Sequence, residues 1–460
     1  MLRSATLKQY QHRAKTKLEP NTKTTFRRNT LTKSTSPHYQ YASGWNAMLP
    51  ERIATPSLSS EIEVDTAIIG AGYTGIAAAK RWHELVPSDE IAIVDSSEIG
   101  EGNPGRNSGF LLEIALANDA DPSQLDRMRQ CNELIARSLG KIVKTVENSS
   151  FDCQLKRMGT YRGAAGKQGL KSLHQYAAFL EAAELPYQDL NRGEMEQHLG
   201  TAFYQRGLYS PHCYLAQPAA LIRCLSAELP DKIHLFENTP ATNLKLSGGR
   251  WLIKTANGEI AAKKVIVANN AFAKSLGIGK SQLVSMYTYA GITPVLDPAL
   301  LRTLGADSSW GLLPTHRLGS TLRKTEDGRL LVRCLYAYEK EISQARVQQE
   351  LSQNLVSRFP QLANTELERI WGGAVGFTMN GGAVFGEVKP GLFVSAGCNG
   401  GGVVKGSLFG ELLADLANGQ PVPDISALFG KASWMPPEPI RSIGFKLISG
   451  LERFRGRAEI

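Results

Sequence analysis

Hydrophobic positions fall into short runs separated by glycine turns. Val64–Ile69 is an apolar run of strand length, and Gly70-Ala71-Gly72-Tyr73-Thr74-Gly75 follows at once. Ile76–Val86 then carries apolar residues at helical spacing, and a second apolar run, Ile91–Val94, ends on Asp95. Strand, helix, strand is the opening of a doubly wound α/β domain. Residues 121–147 predict a long helix, with Leu125, Met128, Leu134, Leu139, Ile142 and Val143 near helical spacing. Further helices are expected around Leu170–Ala183 and at Pro218–Leu229, where proline occupies the first turn. Lys232–Phe236, Arg250–Thr255 and Val265–Val267 read as strands, with Asn257-Gly258 as a hairpin turn. Val284–Tyr289, Ser320–Arg323 and Leu330–Tyr336 alternate in a way that predicts an antiparallel sheet. Leu392–Ser395 predicts a strand; a glycine cluster and a helix over Val403–Ala417, stopped by Asn418-Gly419, follow it.

Charge changes the picture at one end only. Residues 1–40 hold nine Lys/Arg against Glu19, which is +8 of the chain's net +9. The remaining 420 residues are nearly neutral, so a nucleic-acid partner is not expected. The arm is rich in Ser and Thr and poor in acids, the composition of a disordered tail or of an organelle transit peptide. The expected compartment is the cytoplasm, or an organelle if the arm is a targeting segment. Six cysteines form no CxxC pair, and the eight histidines show no ligand spacing, so free thiols and no metal are expected.

The Gly70–Gly75 cluster carries the sharpest chemistry. Gly70 permits the tight turn, Gly72 leaves room for a pyrophosphate beside bare backbone, and Gly75 lets the helix pack on the sheet. Tyr73 and Thr74 open a helix whose N-terminus presents N–H groups to phosphate. Asp95, twenty residues past Gly75, is placed to accept ribose hydroxyls. A dinucleotide site is the reading. After the second strand comes Gly105-Arg106-Asn107-Ser108-Gly109-Phe110, a small-residue loop with one arginine. Such a loop can wrap an elongated dinucleotide and neutralise pyrophosphate. A nicotinamide domain would instead continue into its next helix.

These two loops, with Val265–Phe272 and Gly397-Cys398-Asn399-Gly400-Gly401-Gly402, resemble the D-amino-acid-oxidase-like flavoproteins over roughly residues 41–430. The resemblance implies non-covalent FAD, because Gly373 stands where sarcosine oxidases carry their flavin-linking cysteine. It implies a return strand ending at Ala268, adenine-side strands near Ala241, and a flavin-side loop at Gly397–Gly402. Backbone N–H groups there, with the helix from Val403 behind them, suit negative charge on reduced flavin. The implied architecture is α/β with an α+β second domain: a discontinuous FAD domain (41–150, 211–280, 373–430) and an inserted antiparallel substrate domain (151–210, 281–372). A tail (1–40) and a C-terminal helix (431–460) flank them.

The resemblance further implies oxidation of a C–N bond, with oxygen or a quinone as electron acceptor. Amino-acid oxidases of the family hold the substrate carboxylate with an arginine in Gly-Phe-Arg-Pro. The matching Gly376-Phe377-Thr378-Met379-Asn380 has no cation, which suggests an amine substrate, as in the gamma-glutamylputrescine oxidoreductase-like branch. Amino-acid oxidation, a tRNA-modifying flavoprotein and a non-catalytic flavin binder are the alternatives. Arg106, Tyr336 and Lys405 are the catalytic candidates, and Arg323 and Arg333 are further cations for a carboxylate. Ile440–Phe454 has an apolar face that could lie on a membrane. Gly444 and Gly450 weaken an isolated helix, which favours packing on the body or on a second subunit.

Overall fold

The computed structural model describes residues 39–115 and 122–460. The predicted opening is present: strand β1 (Glu61–Ile69), helix α1 (Tyr73–Leu85) and strand β2 (Ile91–Val94). β1 sits centrally, parallel to β2 on one side and to Glu259–Val267 on the other. Ile233–Phe236 extends the sheet beyond β2, and Leu392–Ala396 extends it beyond Glu259–Val267. Central parallel strands are covered on both faces, which is why Ile68, Ile93 and Ile266 are all fully buried. One face packs against α1, Leu125–Glu147, Pro218–Ala227 and Val404–Ala417. The other is covered by the Asn243–Ser247/Arg250–Lys254 hairpin through Trp251 and Ile253.

The Val265–Val267 expectation captured only the end of a nine-residue strand. Its first half alternates Ile260 and Ala262 inward with exposed or half-buried neighbours, because it also pairs with the hairpin strand. That half-buried stretch lacks the continuous apolar run that marked the rest.

The second sheet runs Arg369–Phe377, Val284–Ile292, Leu330–Tyr338, Thr321–Lys324, Trp310–Pro314, Thr160–Ala164, Arg206–Ser210, Gln188–Asn191. It is antiparallel except for the Trp310–Pro314/Thr160–Ala164 pair. Helix Gln344–Arg358 covers one face with Val347, Leu351 and Leu355. Three inward residues at four-residue spacing in a polar stretch are a weak signal, and the helix is not legible in the sequence. The opposite face presents Leu331 and Trp371 toward Trp45. Arg369–Phe377 belongs wholly to this sheet. We therefore propose that the last nucleotide-domain segment starts after Phe377 rather than at 373.

Two further expectations change. Tyr39 and Gln40 are fixed, not part of a tail: the Tyr39 hydroxyl donates to Asn103 Oδ1, and the Gln40 amide donates to Glu341 (2.9 Å). Residues 1–38 lie outside the described residues. A chain beginning at Tyr39 is expected to keep FAD content and turnover within about twofold of the full chain, the arm being too poor in apolar groups for a core contact. Flavin absorbance per protein and steady-state turnover check this; a larger loss of either makes the arm structural. The C-terminal helix Ile440–Arg455 buries none of its residues, so its apolar row is not packed on the body. Among the described residues no helix is long and apolar enough to cross a membrane.

Candidate functional site

Gly70 turns off β1 at φ +107°, and a Cβ there would stand 3.0 Å from the Ala268 carbonyl and the Asn269 amide. The turn is held by the Gly70 amide donating to Val94 O (2.8 Å). Gly72 is the N-cap of α1 with no side-chain cap, and a Cβ on it would meet only Pro104 Cγ, at 3.2 Å. Backbone donors and open space thus coincide where the pyrophosphate was expected. The Tyr73 ring turns inward instead; its hydroxyl donates to Pro104 O (3.2 Å) and props the following loop.

Asp95 accepts from the Ala71 amide (2.8 Å) on one oxygen and from the Ser97 amide and hydroxyl (3.0 and 3.1 Å) on the other. Burial pushes its carboxyl above the usual range, and these hydrogen bonds pull it partly back. A carboxylate has about four acceptor sites, so capacity for a ribose hydroxyl remains. Ala241 is buried with Val94 and Trp251 on that side of the sheet.

The 100–109 loop is clamped by residues that sequence reading did not single out. Trp45 Nε1 donates to Asn107 O (2.8 Å), Trp371 Nε1 donates to Arg106 O (3.0 Å), and the two indoles meet edge-on at 6.1 Å. Asn107 closes the loop internally: its Nδ2 donates to Pro104 O (2.6 Å) and its Oδ1 accepts from the Gly109 amide (2.8 Å). Ser108 offers its carbonyl to Arg323 Nη1 (3.2 Å).

Arg106 is buried, and its donors are spent on protein. Nε donates to Glu101 O (2.6 Å), Nη1 to Gly372 O (2.9 Å), and Nη2 to Tyr41 O (2.8 Å) and the Glu101 carboxylate (3.2 Å). The guanidinium also stacks over Tyr39 at 3.8 Å. The arginine expected as a phosphate-neutralising or catalytic cation thus ties together the loop, the Tyr39–Trp45 lead-in and the Gly372 edge of the second sheet.

The last glycine cluster faces the first. Asn270 Oδ1 accepts from the Gly397 amide (3.0 Å), and its Nδ2 meets Cys398 Sγ at 3.2 Å. Asn399 Oδ1 accepts from the Thr378 amide (2.9 Å), while its Nδ2 donates to the Gly381 and Gly397 carbonyls (2.9 and 2.8 Å). Gly400, at φ +86°, has nothing within 4 Å of a would-be Cβ, and the helix from Val404 has Val403 as an N-cap without a side-chain cap. That helix lies against the first turn of α1: a Cβ on Gly406 would stand 3.1 Å from Thr74 Oγ1, and one on Gly410 would stand 2.1 Å from Thr74 O. Two helix N-termini without side-chain caps therefore lie side by side, a positive field suited to phosphate and to an anionic ring. Lys405 places Nζ beside Gly401. Asn269 Oδ1, at the neck between the two glycine clusters, is buried without a partner. An orphaned acceptor in a cradle of bare backbone fits a bound dinucleotide.

Above this lies the second sheet. Regular strand geometry would put Arg333 and Tyr336 on opposite faces. The register slips instead at Leu335, a non-glycine residue at φ +60°. Both side chains then share one face, and Arg333 Nη1 donates to the Tyr336 hydroxyl (2.9 Å), which itself donates to Arg317 O (3.0 Å). Thr288, opposite Tyr336 in register, has a buried hydroxyl without a partner. Leu331, two residues from Arg333, packs in the Trp45/Trp371 cluster, so this face looks toward the 100–109 loop. A cavity of about 1170 Å³ lined by Tyr41, Gln344, Gln348 and Glu368 touches neither glycine cluster. Among the described residues no His/Cys/Asp/Glu group is placed to hold a metal.

An interrupted α/β unit with paired glycine clusters, carrying an inserted antiparallel sheet over them, defines a dinucleotide-dependent redox enzyme. The chain belongs to the DAO family of FAD dependent oxidoreductases, whose model matches residues 65–416. It is 26% identical over 397 residues to a probable oxidoreductase OrdL of Rhizobium meliloti, covering 84% of this chain and 89% of that one. It is also 26% identical over 411 residues to the gamma-glutamylputrescine oxidoreductase of Escherichia coli, covering 85% and 90%. Among solved structures, glycine oxidase from Geobacillus kaustophilus shares the fold with a TM-score of 0.69 at 19% identity, covering 82% of this chain and all of that one. The protein is an FAD-dependent oxidoreductase.

Proposed function

We propose that this enzyme oxidises the C–N bond of an amine that need not carry an α-carboxylate. When bound, FAD supplies the hydride acceptor at N5 and passes the electron pair to oxygen or a quinone. The substrate loses a hydride from the carbon and a proton from nitrogen, and water then hydrolyses the imine to a carbonyl compound and the released amine. The chain's residues position and exclude water rather than supply a strong base. The α1 and Val404–Ala417 N-termini, Asn269 and Gly400–Gly402 would hold the cofactor, and the Arg333/Tyr336/Thr288 face would line the substrate side.

The observation that carries the amine reading is the Gly376–Asn380 stretch. Its polar side chains are spent on protein: Thr378 Oγ1 donates to Gly382 O (2.7 Å), and Asn380 Nδ2 donates to Lys431 O (2.8 Å). No cation stands there to meet a carboxylate. A second reading, amino-acid oxidation, is favoured by Arg333, which has a hydroxyl but no carboxylate partner among the described residues. The test is kcat/KM for an amino acid against its decarboxylated amine. The amine is expected to be turned over at least comparably. Preference for the amino acid by more than about a hundredfold, ~2.7 kcal/mol, overturns the amine reading, and loss of that preference in Arg333→Ala would assign the carboxylate to Arg333.

A further inference from the structure

The C-terminal helix is amphipathic, but its apolar side points away from the body. Ile440, Ile443, Leu447, Leu451 and Phe454 recur at three- and four-residue steps and form one row. All are exposed, Leu447 at 70% and Phe454 at 71%. The row facing the body is Arg441, Phe445 and Glu452. Arg441 Nε donates to Pro436 O (2.8 Å), with Nη1 on Lys280 O (3.2 Å); Phe445 packs against Tyr338 with ring centroids 5.1 Å apart; and Glu452 lies 3.3 Å from His316 Nε2. The segment after the helix is tied down by Glu459, whose carboxylate accepts from the Ala165 and Gly166 amides (3.0 and 2.7 Å). The helix is thus held at both ends with its apolar row outward; among the described residues only the Arg457 guanidinium, 5.7 Å over the Phe454 ring, touches its end. Just before it, Trp434 and Met379 are also exposed, in segments joined by the Ser433 amide donating to Asn380 Oδ1 (3.1 Å).

An uncovered apolar face of this kind needs a partner, and the charges on the helix select which. Lys446 and Arg453 are exposed cations, and Arg455, also exposed, lies 3.9 Å from Glu452, the helix's one acid, whose other oxygen is 3.3 Å from His316. A second copy of the same face would bring like cations together around the apolar row. An anionic bilayer instead offers headgroups to the cations and acyl chains to the row. We propose that this helix docks the enzyme onto an anionic lipid surface, lying in the interface rather than crossing it. The inference is independent of the substrate and of the electron acceptor.

The test is co-sedimentation of the full-length holoenzyme with phosphatidylglycerol-containing vesicles and with pure phosphatidylcholine vesicles. Binding to the anionic vesicles only, weakened by salt, is expected. The Leu447→Glu/Leu451→Glu double variant alters exposed side chains, so it should keep its FAD and melting temperature while losing at least tenfold in vesicle affinity. Undiminished binding by that variant would place the lipid contact elsewhere, on the basic arm of residues 1–40 for example, and overturn the proposal. Absence of vesicle binding together with a dimer that the double variant dissociates would overturn it in favour of a second copy.

Discussion

Gly72→Val is expected to yield a folded protein that purifies without flavin. The Gly72 position is open except for Pro104 Cγ, so a valine side chain is accommodated by the polypeptide but occupies the volume beside the α1 N-terminus. The loss should be near complete because the pyrophosphate must approach bare backbone there. The checks are flavin absorbance per protein after desalting, with far-UV circular dichroism to confirm folding. A folded variant that retains stoichiometric FAD would sink the assignment of the loop. Wild-type flavin should be released intact by acid precipitation, since Gly373 offers no side chain for a covalent link; yellow colour remaining in the pellet would contradict this.

Arg106→Met is expected to cost stability first and activity second. The side chain is 2% exposed and serves three backbone carbonyls in three separate segments. Methionine fills most of the volume but leaves those acceptors and Glu101 without their charged donor, a loss of about 3–5 kcal/mol. The urea midpoint should fall while residual kcat, measured well below the transition, stays within about tenfold of wild type. An unchanged midpoint with abolished turnover would return Arg106 to the catalytic or phosphate-binding role first read from the sequence.

Those two variants mark the line between what the sequence discloses and what it does not. The strand–glycine–helix unit is legible because its chemistry is local: Gly70, Gly72 and Gly75 act within one turn, and Asp95 ends the next strand. The partners of Arg106 are not, because Tyr41, Glu101 and Gly372 come together only through tertiary packing, and nothing near Arg106 distinguishes a scaffold guanidinium from a phosphate-binding one. Asn270 is similar. It lies in a recognised motif, yet its role in bridging to Gly397 depends on a second glycine cluster far along the chain. Trp45 and Trp371 carry no signal of their role until the Asn107 and Arg106 carbonyls they serve are in place.

The second sheet shows another kind of concealment. Alternation through Leu330–Tyr336 predicted a strand, and a strand is there. Period-two reasoning, however, puts Arg333 and Tyr336 on opposite faces, and only the slip at Leu335 unites them with Thr288. Non-glycine residues at positive φ cost about 1–3 kcal/mol and cluster at functional sites. The C-terminal helix was read correctly as amphipathic, but its apolar row does not pack on the body, one of the placements expected for it, because the pattern gives the direction of the row around the helix axis and not which row meets the body.

The central claim is that this chain uses bound FAD to oxidise a C–N bond. Anaerobic mixing of the holoenzyme with a panel of amines and their parent amino acids, followed by the visible flavin absorbance, tests it most directly. At least one amine should bleach the flavin fully, with one carbonyl product and one released amine per flavin reduced. If no amine or amino acid bleaches the flavin while dithionite does, the account of the reaction is wrong and the protein binds FAD for another purpose.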